Sequence, residues 1–298
     1  MTKVVASADS KVAYIAGHGI LVSEEFELAP GIIIRPNPPH FDLKVVSDGC
    51  ETFAEYAVVL STMEFASFYL EIQEEAGGRE LVVKTWNSLW LFHLLALACQ
   101  CPCYSLFSWS GSEKVHFAVA TAHPAFRKPV NAILASSDRL AWARGNMESF
   151  DSLQKDRTFV DALLSYTNSH HLLGHGPRIM QLWSGIECLF KVSSEISRTL
   201  AMYSALLLGE GDSNLRYKCF KEIKKDYGVR SKVVHGTVAN SEALEEAYSR
   251  ASKLLARLLS RCVELTHVPS TEELDRAALV GYITDKVSGA SHIARAVN

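Results

Sequence analysis

Pro177-Arg178-Ile179-Met180-Gln181-Leu182-Trp183-Ser184-Gly185-Ile186-Glu187-Cys188-Leu189-Phe190 reads as one amphipathic helix. Ile179, Leu182, Trp183, Ile186, Leu189 and Phe190 recur at three- and four-residue intervals, the spacing of one helix face. Proline in a first turn leaves no hydrogen bond unmade, because the N–H it lacks has no intrahelical partner there. Further helices follow. Ile196 to Leu208 is stopped by Gly209, and Leu215 to Tyr227 is expected to stop at Gly228. Asn240 or Ser241 caps a fourth helix, with Glu242, Glu245 and Glu246 near its start, where the helix dipole favours acids. The apolar stripe of that helix is Leu244, Ala247, Ala251, Leu254, Leu258 and Cys262, extending to about His267. Glu272 to Lys286 reads as one more short helix. Short links between amphipathic helices predict an antiparallel bundle.

Upstream of about Lys128 the periodicity is mixed. Val12 to Val22, Gly31 to Arg35, Phe68 to Ile72 and Val115 to Thr121 read as strands bounded by Gly and Pro. Glu51 to Ser61 and Arg79 to Cys99 have helical spacing. The second is expected to place Leu81, Val82, Trp86, Leu89, Trp90 and His93 on one broad face. The expected fold class is therefore an α+β N-terminal region over 1–130, followed by an all-α antiparallel helical bundle over 131–270. A C-terminal helix and tail occupy 271–298.

Of the 298 residues 48% are hydrophobic, enough for a large core. The net charge of -3 identifies no partner, so any electrostatic case rests on local clustering. The seven cysteines are odd in number and mostly lie in apolar runs, which reads as reduced thiols. No leader-like apolar stretch follows Met1. The most hydrophobic segment, Leu89 to Cys99, is about half as long as a membrane span requires. A soluble, cytoplasmic protein with no membrane partner is expected.

Cys99-x-Cys101-x-Cys103 lacks the two-residue gap and second pair of zinc sites, and reads as a buried turn around Pro102. His170, His171 and His175 resemble metal ligands, but Gly174 and Gly176 weaken the helix that would align them. Neither a metal nor a cofactor is called for. Trp86, Trp90, Trp109 and Trp183 are expected in the core.

Tyr227-Gly228-Val229-Arg230-Ser231-Lys232-Val233-Val234-His235-Gly236 carries the chemistry. A five-residue step turns a helix by about 140°, so Arg230 and His235 occupy different faces, while Ser231 and His235 share one. Arginine's length allows its guanidinium to swing to the same spot. Spacing alone also fits a helix cap plus a core histidine. Charge adds to the motif: Arg216 to Lys232 holds seven basic residues against two acids. Lys221, Lys224, Lys225, Lys232 and Tyr227 are the candidate RNA contacts, as a local +5 would attract a polyanion. By default such a run is a solvated helix face.

The segment from Arg178 to Gly236 resembles the HEPN family, in particular its ApeA-like branch. The resemblance lies in Leu182 to Phe190, in Glu195-Ile196-Ser197-Arg198-Thr199-Leu200-Ala201, and in the Tyr-x-x-Arg-Ser-x-x-x-His-Gly pattern of Tyr227 to Gly236. It implies a HEPN-type bundle near 150 to 270 and RNA cleavage without metal, with Arg and His brought together across a two-fold homodimer. RNA supplies its own nucleophile in the 2′-OH, so positioning and proton transfer suffice. His235 would be the acid or base, Arg230 the fork on the phosphate, and Ser231 a hydrogen-bond donor. Glu187 matches a glutamate frequent on the family's first bundle helix; Arg230 or Arg198 is its candidate partner, and it is expected to orient Arg230. The resemblance further implies bacterial anti-phage defence or toxin-type growth arrest, with tRNA among possible targets. An antitoxin or a phage-derived trigger would be a partner, and the first 130 residues a sensing or regulatory domain. The alternatives are a non-catalytic nucleotide-, RNA- or partner-binding module and a nucleotide-transfer enzyme.

Overall fold

The β-branched and aromatic runs of the first third pair into one six-stranded antiparallel sheet. A computed structural model describes residues 2–7, 10–111, 113–121, 131–192, 195–209, 212–236 and 241–280. The strands are β1 (Val12–His18), β3 (Phe26–Ala29), β4 (Ile32–Pro36), β5 (Phe68–Gln73), β6 (Tyr104–Ser110) and β7 (His116–Val119), in the order β3-β4-β5-β1-β6-β7. A separate two-stranded pair joins β2 (Ile20–Leu21) to β8 (Ile133–Leu134) in parallel. The expected strand over Val12 to Val22 is thus split at Gly19. Its φ of +117° suits glycine, and a Cβ there would meet the Pro102 carbonyl oxygen at 2.0 Å.

Alternation sets the two faces of the sheet. On β5, Phe68, Leu70 and Ile72 are buried on one side, while Tyr69 and Glu71 turn to the other. The first side packs on α3 (Gly78–Asn87), a 3-10 turn (Ser88–Trp90) and α4 (Leu91–Cys99). The second carries Tyr14 stacked on Trp109 at 5.0 Å and is covered by α1 (Leu43–Gly49) and α2 (Phe53–Met63). The helix expected over Arg79 to Cys99 is interrupted by the 3-10 turn, and its buried face is not the one expected. Leu81, Thr85, Ser88, Leu91 and Phe92 are buried, whereas Trp86, expected in the core, is 49% exposed. Trp90 is half-buried; Trp109 and Trp183 are buried.

Gly78–Cys99 is 22 residues of apolar helix, longer than the segment singled out above and long enough by composition to cross a membrane. Half of its most apolar window is buried within the protein, as in the core helix of a soluble protein. His93 lies in that run. Burial lowers its pKa to about 4, because the charged imidazolium loses its hydration. The folded state then binds fewer protons than the unfolded one between about pH 6.5 and pH 4, so stability falls as pH drops through that window. At 1.36 kcal/mol per unit the loss is about 3 kcal/mol. Denaturant melts at pH 7 and pH 4 should lose that much more for the parent chain than for His93→Leu. Parallel losses would refute the assignment.

From Ala135 to Val280 the described residues are mainly helical: α5 (Ser137–Gly145), α6 (Met147–Leu153), α7 (Arg157–Ser169), α8 (His175–Phe190), α9 (Ile196–Leu208), α10 (Ser213–Val234), α11 (Ser241–Leu265) and α12 (Thr271–Val280). The C-cap of α9 is Gly209, as expected. The expected stop at Gly228 is not made. α10 runs six residues further, to Val234, because one helical glycine costs only about 1 kcal/mol. Asn240, Lys286 and the tail beyond Val280 lie outside the described residues.

α7, α8 and α11 form the centre of the helical layer, and their closest approach runs over Gly185. A Cβ there would meet Ser165 at 2.7 Å and Leu255 at 2.9 Å. One hydrophobic core extends from Ala13 and Ile15 on β1 through α4 to Trp183, Leu255 and Leu274. The change in composition near residue 130 is therefore not a gap in the packing.

Candidate active site

Glu187 sits in the last turn of α8, one turn after Trp183. Their spacing of four places both on the side that meets α10. From α10, Tyr227 and Arg230, three apart, meet them. The Tyr227 hydroxyl donates to Glu187 Oε1 at 3.0 Å, and Arg230 Nη2 lies 3.1 Å from the same oxygen and 3.4 Å from Oε2. The Trp183 ring stands edge-on to Tyr227 at 5.1 Å, and the Arg230 guanidinium lies 5.5 Å from the centre of the Tyr227 ring. Burial, and next the Glu187 carboxylate, push the Tyr227 hydroxyl above its ordinary pKa, so it stays a donor. Arg198 pairs instead with Glu195 at 3.7 Å, which leaves Arg230 as the partner of Glu187.

This brings together two of the four residues named as catalytic. Arg230 turns inward, with its Nε buried and unbonded and the side chain 25% exposed. His235 is the C-cap of α10; its backbone N–H donates to the Ser231 carbonyl at 3.2 Å and its side chain is exposed. The expected swing of the guanidinium toward His235 is not made within one chain. The helix separates the two by about 140°, and Glu187 holds the guanidinium on the inner side. The helix-cap reading of His235 is correct, but the ring is at the surface, not in the core. Ser231 is half-buried, one turn before His235.

Lys221, Lys224, Lys225 and Lys232 are all exposed. Three of them, at positions 221, 225 and 232, lie within about 40° of one another around α10, and His235 within about 60° of their mean. The basic stripe and His235 thus share the outer face, while Tyr227 leaves the set of exposed candidates to join Glu187 and Arg230. Lys221 lies 4.6 Å from the Tyr217 ring and Lys224 5.9 Å from the Phe220 ring.

Trp183 is the participant that sequence reasoning assigned only to the core. Its spacing of four from Glu187 was the available signal. Cys99, Cys101 and Cys103 are buried, as the turn reading holds. His170 stacks on Tyr104 and His171 meets it edge-on, their own rings 3.9 Å apart, and His175 stands in the first turn of α8 near Tyr248. Among the described residues no group of three His, Cys, Asp or Glu side chains is placed to hold a metal ion.

The Glu187–Arg230 pair is mostly screened from water, so its two members should couple. A double-mutant cycle with Glu187→Ala and Arg230→Ala is expected to give about 1 kcal/mol of interaction. Additive losses would mean that the carboxylate does not hold the guanidinium. No protein-family model, curated protein or solved structure matches the chain. The likeness to HEPN domains therefore rests on the motif residues themselves.

Proposed function

We propose that this protein is a metal-independent endoribonuclease of the HEPN type, working as a homodimer. The observation that carries this reading is the arrangement at the end of α10. Arg230 is anchored by Glu187 and Tyr227, and the outer face of the same helix carries four exposed lysines and ends in an exposed His235.

The chemistry needs no group beyond these residues. Imidazole takes the proton of the RNA 2′-OH as its oxygen attacks the adjacent phosphorus. The 2′-oxygen–phosphorus bond forms, the 5′-oxygen–phosphorus bond breaks, and an imidazolium returns a proton to the leaving 5′-oxygen. The products are a 2′,3′-cyclic phosphate and a 5′-OH. Two copies across a two-fold axis supply one histidine as base and another as acid. They also put a guanidinium on the phosphate, a meeting that is not made inside one chain while Arg230 pairs with Glu187. Arg230 stabilises the developing negative charge, and Ser231 donates a hydrogen bond. Growth arrest during phage infection, by cleavage of tRNA or other cellular RNA, is the setting the motif favours. The sheet region would be the sensor.

The inward pairing of Arg230 with Glu187 also favours a second reading, a binding module in which the arginine is structural. End-labelled tRNA and total RNA, incubated in excess EDTA with parent chain and with His235→Ala, decide between them. Cyclic-phosphate ends made by the parent alone support the nuclease. Equal cleavage by both, or intact RNA with infected-cell extract and Mg²⁺ added, supports the binding module.

A further inference from the structure

Away from His235, α10 and α11 diverge to leave a groove of about 470 Å³, within the range of sites that hold small ligands. Its apolar lining comes from Leu208 at the end of α9, Ile223 on α10 and Leu254 on α11. Around this lining stand Lys225 from α10 and Arg250, Lys253 and Arg257 from α11. Arg250, Lys253 and Arg257 recur at intervals of three and four, so they form one stripe along the groove.

Acids line the groove too, and most are already matched. Arg250 lies 2.8 Å from Asp226 and 3.5 Å from Glu246, so one guanidinium bridges both carboxylates across the two helices. Glu222 is the remaining acid. Among the described residues Lys225, Lys253 and Arg257 make no ion pair, and the lining as a whole holds four cations against three acids, a net +1 over an apolar floor. A nucleic acid strand matches both parts, with phosphates on the cations and a base or ribose on the floor.

We propose that this groove is a track for single-stranded RNA, its phosphates held by Lys225, Lys253 and Arg257. The inference rests on the ribonuclease reading and deepens it. Lys225 belongs to both the groove and the outer stripe of α10, so the two surfaces join there. A cleft between two helices admits one strand and not an A-form duplex, which selects unpaired regions of the target.

The test uses the full chain and a fluorescein-labelled 2′-O-methyl oligoribonucleotide of about 12 residues, which has no free 2′-OH and is not cut. Anisotropy titrations compare the parent with Lys253→Glu/Arg257→Glu and with Lys44→Glu/Lys114→Glu, which changes net charge equally in the sheet region. The groove pair is expected to weaken binding at least tenfold. It should also reduce the slope of log K against log salt by about 1.4, the share of two phosphate contacts on a single strand. The control pair should stay within twofold of the parent. If the groove pair does not reach the parent's melting temperature, Lys253→Gln/Arg257→Gln takes its place, with a slope change of the same size expected. Unchanged binding by the groove variant, equal loss in the control, tighter binding of the same oligonucleotide annealed to its complement, or no binding by the parent would each overturn the track. Failure of the nuclease reading is seen separately, as uncut RNA in the EDTA assay, because this probe reports binding alone.

Discussion

His235→Ala is expected to lower RNA cleavage by about 10²–10⁴-fold, the range for removing a positioned acid or base. The same substitution should leave the melting temperature within about 1 °C of the parent, a ΔΔG of less than about 0.5 kcal/mol. Both expectations follow from where the residue stands. His235 caps α10 through its backbone N–H, which alanine retains, and its ring projects from the surface. A ring with no structural task has little stability to lose, so a large fall in rate would report chemistry. Ser231→Ala makes an informative companion. A hydroxyl that only donates to phosphate should cost about 10- to 100-fold, since one hydrogen bond to a charged group is worth about 1.5–3 kcal/mol at most. Measured single-turnover rates for the two variants decide the order. If Ser231→Ala were the more damaging, or if His235→Ala cut RNA at the parental rate, the assignment of the proton-transfer group would be wrong.

Trp183→Ala is expected to destabilise the chain by about 3–5 kcal/mol, the largest loss for any single side chain discussed here. The indole is only 1% exposed and lies in the core shared by the sheet and the helices. Truncation removes its transfer free energy and leaves a cavity in a close-packed core that closes only in part. The effect reaches the candidate site as well. The indole edge meets Tyr227, and Tyr227 shares Glu187 with Arg230. Cleavage by the folded fraction should therefore fall as well. Trp183→Phe keeps an aromatic edge toward Tyr227 and should restore most of the activity with less of the stability. Urea melts of the three chains, with rates measured where each is folded, test both claims. A loss below about 1 kcal/mol would show that the core repacks around the deletion.

The helices of the second half were legible because each carries its own punctuation. Gly209 caps α9 where the sequence places it, and the apolar stripe of α11 from Ala247 to Cys262 is buried as read. The errors fall where a local signal was outweighed. Gly228 was read as a stop, yet the packing of α10 against α8 and α9 outweighs one glycine's propensity, so the helix continues and carries Arg230 in its final turns. Trp86 was read as core, but the buried stripe of its helix runs through Leu81, Thr85 and Ser88, so position 86 lies about 140° round from Leu81 and the ring emerges at the surface. β3 and β6 were missed because Phe26–Ala29 is four residues long and Tyr104–Ser110 interleaves serines with aromatics, which hides the apolar signal.

By itself the sequence determined the change from mixed to helical structure and the Arg-x4-His motif with its basic run. These are properties of short segments, set by side-chain periodicity and spacing. Only the tertiary structure decided that Glu187 takes Arg230 and not Arg198, that Tyr227 belongs to that pair, and that His235 faces outward with the lysines. The physical reason is that a side chain such as arginine reaches several partners from one position. Which carboxylate it meets depends on how α8 crosses α10, and that crossing is set by core residues far from the motif in the chain.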